Sequence, residues 1–346
     1  MLQEFDYLPA GLLDQEATTL HTFLPGPTLI HLPGERAEPL FVSVLLHGNE
    51  VTGWEALRHI LKKYQGQRLP RALSVFIGNV AAARHGQRCL PTQPDYNRIW
   101  KGEGDSAESV MVRQVLERMR ARRVFACIDI HNNTGRNPHY ACLNELEQGF
   151  FHLARLFSRT VVYFRNPDSV LSLAFARLCP AITVECGRPS EPQGVAHAAE
   201  LIDSCLHLSE HPRHAMHPQD LDLFHTVAVV KVALDVVFAI AGPQGTPVAN
   251  PVPGLCLRAD LDQLNFCELR PGTPLATVPP AERLPLHAWD EQQQDIAARF
   301  FAVVDGQLVT KIPLMPSMLT LQTDIIRQDC LCYLMERLPL SRDVEA

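Results

Sequence analysis

What most constrains this chain is a pattern in its first two thirds, where short apolar, β-rich runs alternate with amphipathic stretches, and three of the runs end on or just before a chemically capable side chain. Residues 40–46 (LFVSVLL) read as a buried strand followed by His47 and Glu50, with a helix predicted over 52–64. Residues 72–77 (ALSVFI) read as a second strand, and 106–121 (SAESVMVRQVLERMRA) as a helix with a serine cap, an acidic first turn and apolar positions at helical spacing. Residues 124–130 (VFACIDI) form a strand ending at His131, a helix and strand follow at about 145–164, then the strand 181–185 (AITVE) ending at Glu185, then a helix at about 194–208. Such alternation is the signature of an α/β layer structure.

Past residue 208 the pattern breaks. The segment 209–220 (SEHPRHAMHPQD) is polar, rich in histidine and interrupted by proline, and reads as an exposed linker. Beyond it, runs such as VAVVKVAL, VVFAIA and FFAVVDGQLV are separated by Pro and Gly. Residues 1–212 are therefore expected to form one domain, and 213–346 a smaller, β-rich one. The length of 346 residues and 46% hydrophobic content suffice for a full core in the larger part. A formal net charge of -7 offers no basic field for a nucleic acid. The N-terminal MLQEFDYLPAGLLDQEATTL has no basic segment before an apolar run, and no stretch has bilayer-spanning length. A soluble, cytoplasmic protein is expected, without membrane or nucleic-acid partners. Its ten cysteines follow no disulfide or zinc-knuckle spacing and read as reduced, buried apolar residues.

The chemistry gathers at the strand ends. In HGNE an imidazole and a carboxylate lie three residues apart in a strand-to-helix turn, a spacing that lets both reach one cation. A catalytic zinc usually takes three protein ligands and leaves a position for water. In an open α/β sheet, sites collect at the carboxyl ends of strands, so His131 is the natural third ligand beside His47 and Glu50. Water activated in this way needs a base. Glu185 ends a strongly apolar strand, where an unpaired charge is expensive unless a site uses it, although a carboxylate pointing into water fits the same position. Arg88, Asn97 and Arg98 lie in RHGQRCLPTQPDYNRIW. They suit oxyanion stabilisation and carboxylate recognition, with plain surface charge as the competing reading. The histidines at 207, 211, 214, 217 and 225 read as decoys in an exposed connector, His139 as a loop residue, and Trp54, Trp100 and Trp289 as packing residues.

Taken in order, HGNE (47–50), GNV with AAARHGQR (78–88), DYNR (95–98), DIHNNT (129–134) and VECGRPSEPQGV (184–195) resemble the succinylglutamate desuccinylase/aspartoacylase family, a branch of the zinc carboxypeptidase superfamily. LNFCELRPGTPLATV (264–278) resembles that family's β-rich C-terminal domain. The resemblance implies a mixed-sheet α/β domain with helices on both faces plus the smaller β-rich domain. By the same analogy, one Zn2+ per chain is held by His47, Glu50 and His131, Glu185 is general base and then acid, Arg88 polarises the scissile carbonyl, and Asn97 with Arg98 grips a substrate carboxylate. Asp95 and Asp129 are expected partners of the ligand histidines. The implied activity is removal of the acyl group from a small N-acyl amino acid. A carboxypeptidase-like action on short peptides and a metal-binding relative without turnover are the alternatives, and homo-oligomerisation is left open. The chain departs from aspartoacylases where they carry a substrate-binding arginine before the catalytic glutamate. Here that stretch is LSLAFARLCP, with Ala174 or Phe175 in place and Arg177 nearby. Where aspartoacylases present a tyrosine from the C-terminal domain, this chain has MPSMLTL (315–321). A longer or more apolar acyl group than acetylaspartate would carry is expected.

Overall fold

In the computed structural model, which describes residues 2–242, 254–279 and 283–340, the apolar runs of the first 210 residues become the strands of one mixed sheet. The strands are β1 (Gln3–Phe5), β2 (Thr28–Leu32), β3 (Gly34–Val44), β4 (Leu69–Ile77), β5 (Ala126–His131), β6 (Tyr140–Leu143), β7 (Thr160–Tyr163) and β8 (Ala181–Glu185). They lie in the order β1-β2-β4-β3-β5-β8-β6-β7. β4, β3, β5 and β8 run parallel, whereas β2 meets β4 and β6 meets β8 antiparallel, which makes the sheet mixed. Between the strands come α1 (Thr52–Lys63), α2 (Val80–Ala83), α3 (Ala107–Ala121), α4 (Gln148–Arg155), α5 (Leu171–Phe175) and α6 (Pro192–His207).

Local chemistry accounts for the helices. The Ser106 hydroxyl accepts from the Ser109 N–H and so caps α3, while Pro192 opens α6, where its missing N–H would be unpaired in any case. In α1, Trp54, Leu57, Ile60 and Leu61 fall on one buried stripe. Every residue from Pro39 to Val44 is buried, as is every residue of β5 and β8. Successive strand residues face opposite sides, so both faces of the central strands are covered. α1 and α6 pack together over β3 and β5, and α4 and α5 pack on β8 with β6 and β5.

The structure differs from the sequence reading at several edges. β3 begins at Gly34 and stops at Val44, because Leu45 takes a left-handed φ of 56° that turns the chain before His47. β6 and α5, of four and five residues, fall below the length at which periodicity is legible. Within the connector, the ring of His211 stacks on Phe125 at 4.1 Å and its Nε2–H donates to the Phe125 carbonyl at 2.8 Å, so this histidine is anchored rather than exposed.

By contact density the described residues fall into two units, one of residues 2–133, 139–223 and 339–340, the other of 134–138 and the described part of 224–338. The sheet and helices above make up the first. β9 (Asp222–Val232) belongs to the second from Phe224 onward, followed there by β10 (Phe238–Ile240), β11 (Leu255–Leu257), β12 (Pro274–Thr277) and β13 (Leu286–Trp289). β14 (Phe301–Val304), β15 (Gln307–Thr310), β16 (Met315–Ser317) and β17 (Cys332–Arg337) complete it. β13 and β17 flank β9 antiparallel, and β10-β11-β12-β15-β14 form a separate five-stranded sheet. Val230, Leu257, Leu286, Phe301 and Leu308 lie in its apolar core. Among the described residues no helix is long and apolar enough to cross a membrane.

Candidate metal centre

The centre is assembled where β3, β5 and β8 end. β5 and β8 are parallel and in register, with His131 opposite Glu185, so these two side chains leave the sheet side by side on one face. The Cys186 N–H donates to the His131 carbonyl at 3.0 Å, fixing that register at the strand ends. His47 and Glu50 come from the turn between β3 and α1, which is closed by a Glu50 N–H to His47 carbonyl bond of 3.1 Å. Gly48 lets this turn lie against the residues after β4. A Cβ there would stand 2.2 Å from the Ala83 nitrogen, and the Gly48 N–H donates to the Arg88 carbonyl at 3.1 Å.

Two histidines and one carboxylate converge from these elements. His47 Nδ1 lies 2.8 Å from Glu50 Oε1, and His131 Nδ1 lies 2.7 Å from Glu50 Oε2. Ligand atoms of all three fall within 4.8 Å of one another, and all three residues are buried. On the far side of each ring Nε2 meets a second carboxylate, Asp95 Oδ1 at 3.0 Å for His47 and Asp129 Oδ2 at 2.8 Å for His131. Each ring is thus held between two carboxylates, with Nε2 turned toward Asp95 or Asp129 and Nδ1 toward Glu50; a bound ion would take the Nδ1 edge and leave an Nε2–H to donate to the carboxylate behind it. Burial alone would push the Glu50 carboxyl up, but His47 and His131 outweigh it and hold Glu50 well below the usual carboxylate range. Burial disfavours a charge on His131, yet Asp129 and Glu50 raise its pKa well above the ordinary histidine value. Two imidazole nitrogens and a carboxylate, each ring held from behind by an acceptor, form a donor set that fits a divalent ion such as zinc.

Glu185 is 7% exposed, and burial pushes its carboxyl up to about 7, with His131 pulling the other way and Glu50 adding to the rise. The Asn133 amide donates to Glu185 Oε2 at 3.4 Å. Arg88 is turned onto Asp95, donating from Nε and Nη2 to Oδ2 at 3.0 and 2.8 Å. Asn97 is buried, with its Oδ1 accepting the Leu171 N–H at 3.0 Å and its Nδ2 3.3 Å from His131 Nε2. Arg98 donates from Nη1 to the Asn97 carbonyl at 2.9 Å. The residues singled out from the sequence therefore share one neighbourhood, bound through Asp95 and His131.

Asn132 was not among them, yet it ties three pieces of the centre together. Its N–H donates to Glu50 Oε2 at 3.1 Å, its Oδ1 accepts the Thr52 N–H at 3.3 Å, and its Nδ2 donates to the Gly187 carbonyl at 3.0 Å. The only hint in the sequence was its position, directly after the strand-end histidine. By contrast, Phe175 is fully buried and stacks on Phe41 at 4.3 Å, which makes it a core residue, and Arg177 is exposed. His139 stacks on the ring of His197 at 5.2 Å, and Trp54 and Trp100 are buried in packing. Among the described residues, His47, Glu50 and His131 are the group of three arranged to hold a metal, and the connector histidines form no such group.

Comparison with known proteins bears on the fold and on the segment that carries the centre. Residues 38–209 match the model of the succinylglutamate desuccinylase/aspartoacylase catalytic domain. No curated protein matches the sequence significantly. Murine aminoacylase 3 is similar in structure with a TM-score of 0.56 at 15% identity, covering 88% of this chain and 97% of that one. Succinylglutamate desuccinylase from Chromobacterium violaceum gives a TM-score of 0.51 at 18% identity over 88% of this chain and 87% of that one. A succinylglutamate desuccinylase/aspartoacylase from Rhodobacter sphaeroides gives 0.57 at 11% identity over 89% and 88%. At such identities the structural likeness speaks for the fold, and the matched catalytic-domain segment speaks for the lineage. Through residues 38–209, the chain belongs to the succinylglutamate desuccinylase/aspartoacylase family.

Proposed function

We propose that the protein is a zinc-dependent amidohydrolase that removes the acyl group from an N-acyl amino acid. The observation that carries this reading is a buried glutamic acid, Glu185, standing in register with His131 next to a His-Glu-His donor set. A divalent ion, when bound there, acidifies a coordinated water and polarises the substrate carbonyl. Glu185, buried and in register with His131, is suited to take a proton from the attacking water and pass it to the departing nitrogen. The guanidinium of Arg88 offsets the negative charge that develops on the carbonyl oxygen. Asn97 and Arg98, joined through the Asn97 carbonyl, are suited to the carboxylate of the amino-acid half. The products are a carboxylate and a free amino acid. All ten cysteines are free thiols, which suits a reducing compartment such as the cytoplasm.

The test is a panel of N-acetyl, N-succinyl and longer N-acyl amino acids beside short peptides, run on zinc-loaded protein. Cleavage of at least one acyl amino acid is expected. Hydrolysis of peptides alone would replace this reading with a carboxypeptidase-like one, and no amide hydrolysis at all would end it.

A further inference from the structure

The carboxylate of Asp95 is shared by two groups with different work to do. Its Oδ1 accepts from His47 Nε2 at 3.0 Å and from the Asn97 N–H at 2.7 Å. Its Oδ2 accepts both Nε and Nη2 of Arg88, at 3.0 and 2.8 Å. All four bonds are made from an irregular loop, since residues 84–106 contain neither helix nor strand. Within the loop, backbone bonds add two further anchors. Arg98 N–H donates to the Asp95 carbonyl at 2.9 Å, and the Arg88 carbonyl accepts from Gly48, one residue past His47.

We infer that Asp95 is a positioning residue that locks the metal ligand His47 and the carbonyl-polarising Arg88 to one another. The inference rests on the proposed function for the role of Arg88, and on geometry alone for the link. One oxygen holds His47 from behind through Nε2, which keeps Nδ1 turned toward Glu50. The other holds the guanidinium through two N–H groups, which fixes its plane as well as its distance. A displacement of the metal ligand is thereby carried to the arginine through a single rigid group. Among the described residues Asp129 makes the first kind of contact, with His131 Nε2, while its Oδ1 accepts no hydrogen bond, so the two carboxylates behind the ligand histidines are not equivalent.

Three measurements on the full chain test the link. Zinc affinity, read by chelator competition without substrate, is expected to fall about 10- to 100-fold in Asp95→Asn, the range typical for loss of an orienting partner. An affinity within twofold of the wild type would overturn the inference. At saturating zinc, kcat of Asp95→Asn is expected to fall, and the double variant Asp95→Asn/Arg88→Gln should be no slower than Arg88→Gln alone. Losses that multiply would show the two residues acting separately and would sink the link. If Asp95→Asn unfolds, Asp95→Glu, which retains the charge, takes its place, with partial recovery of zinc affinity expected. The third readout is the Arg88 Nε–H signal by nitrogen-15 NMR, assigned by its loss in Arg88→Gln. It should be protected from solvent exchange in the wild type and exchange rapidly in Asp95→Asn, and unchanged protection would contradict the inference. A wild type that cleaves no acyl amino acid would defeat the proposed function while leaving the zinc and NMR measurements decisive for Asp95.

Discussion

At the level of the single residue, Glu185 shows how surroundings set chemistry. Burial first, with the charge of Glu50 adding to it, moves this carboxyl from an ordinary 4.5 to about 7 against the pull of His131 and Asn133. In the metal-free protein the folded state therefore keeps its proton where the unfolded chain has released it. The stability linked to that proton is fully present below about pH 4.5 and is lost as pH rises through about 7. Glu185→Gln removes the titration. In chelator-treated protein, the stability of this variant relative to wild type should rise by about 3 kcal/mol between pH 4.5 and pH 8, measured by urea unfolding. A difference that stays flat with pH would show that burial is not what moves the carboxyl. The same variant, zinc-loaded, should bind the ion normally and lose on the order of 10²-fold or more in kcat. Full turnover would remove Glu185 from the mechanism.

At the level of elements, the centre depends on how closely the β3–α1 turn and the residues after β4 approach. Gly48 permits that approach, since an added Cβ would meet backbone atoms of Ala82 and Ala83 at 2.3 and 2.2 Å. Backbone cannot swing aside as a flexible side chain can, so the turn carrying His47 and Glu50 must shift. Gly48→Ala should destabilise the protein by about 1–3 kcal/mol and weaken zinc binding together. Thermal melts and a zinc titration check this, and a variant equal to wild type in both would refute the close packing. The elements that carry the site were legible because each couples an apolar run to a chemical residue at its end, as in AITVE, whose predicted span is the observed β8. β6 was not legible. Tyr140–Leu143 is a four-residue strand whose pairing with β8 comes from a distant partner rather than from its own pattern.

For the whole molecule, an ion that binds the folded centre and not the unfolded chain must stabilise the fold by mass action. Zinc at about 100 times its Kd should add about 2.7 kcal/mol, a rise in Tm of roughly 5–10 °C for a unit of this size. Calorimetry with and without zinc checks it, and a Glu50→Gln protein should lose most of the rise. An equal rise in that variant would place the ion elsewhere. By itself the sequence determined the α/β alternation, the strand-end positions of His131 and Glu185, and the HGNE turn, because periodicity and residue type are local properties. It also marked Asp95 and Asp129 as candidate partners of histidine. Only the tertiary structure decided that Asp95 serves His47 and Arg88 at once, that Asn132 joins Glu50, Thr52 and Gly187, and that Phe175 belongs to the core. The reason is physical: hydrogen-bond partners 48 or 82 residues apart are chosen by sheet register and loop packing, and no local pattern records which distant group a side chain will meet.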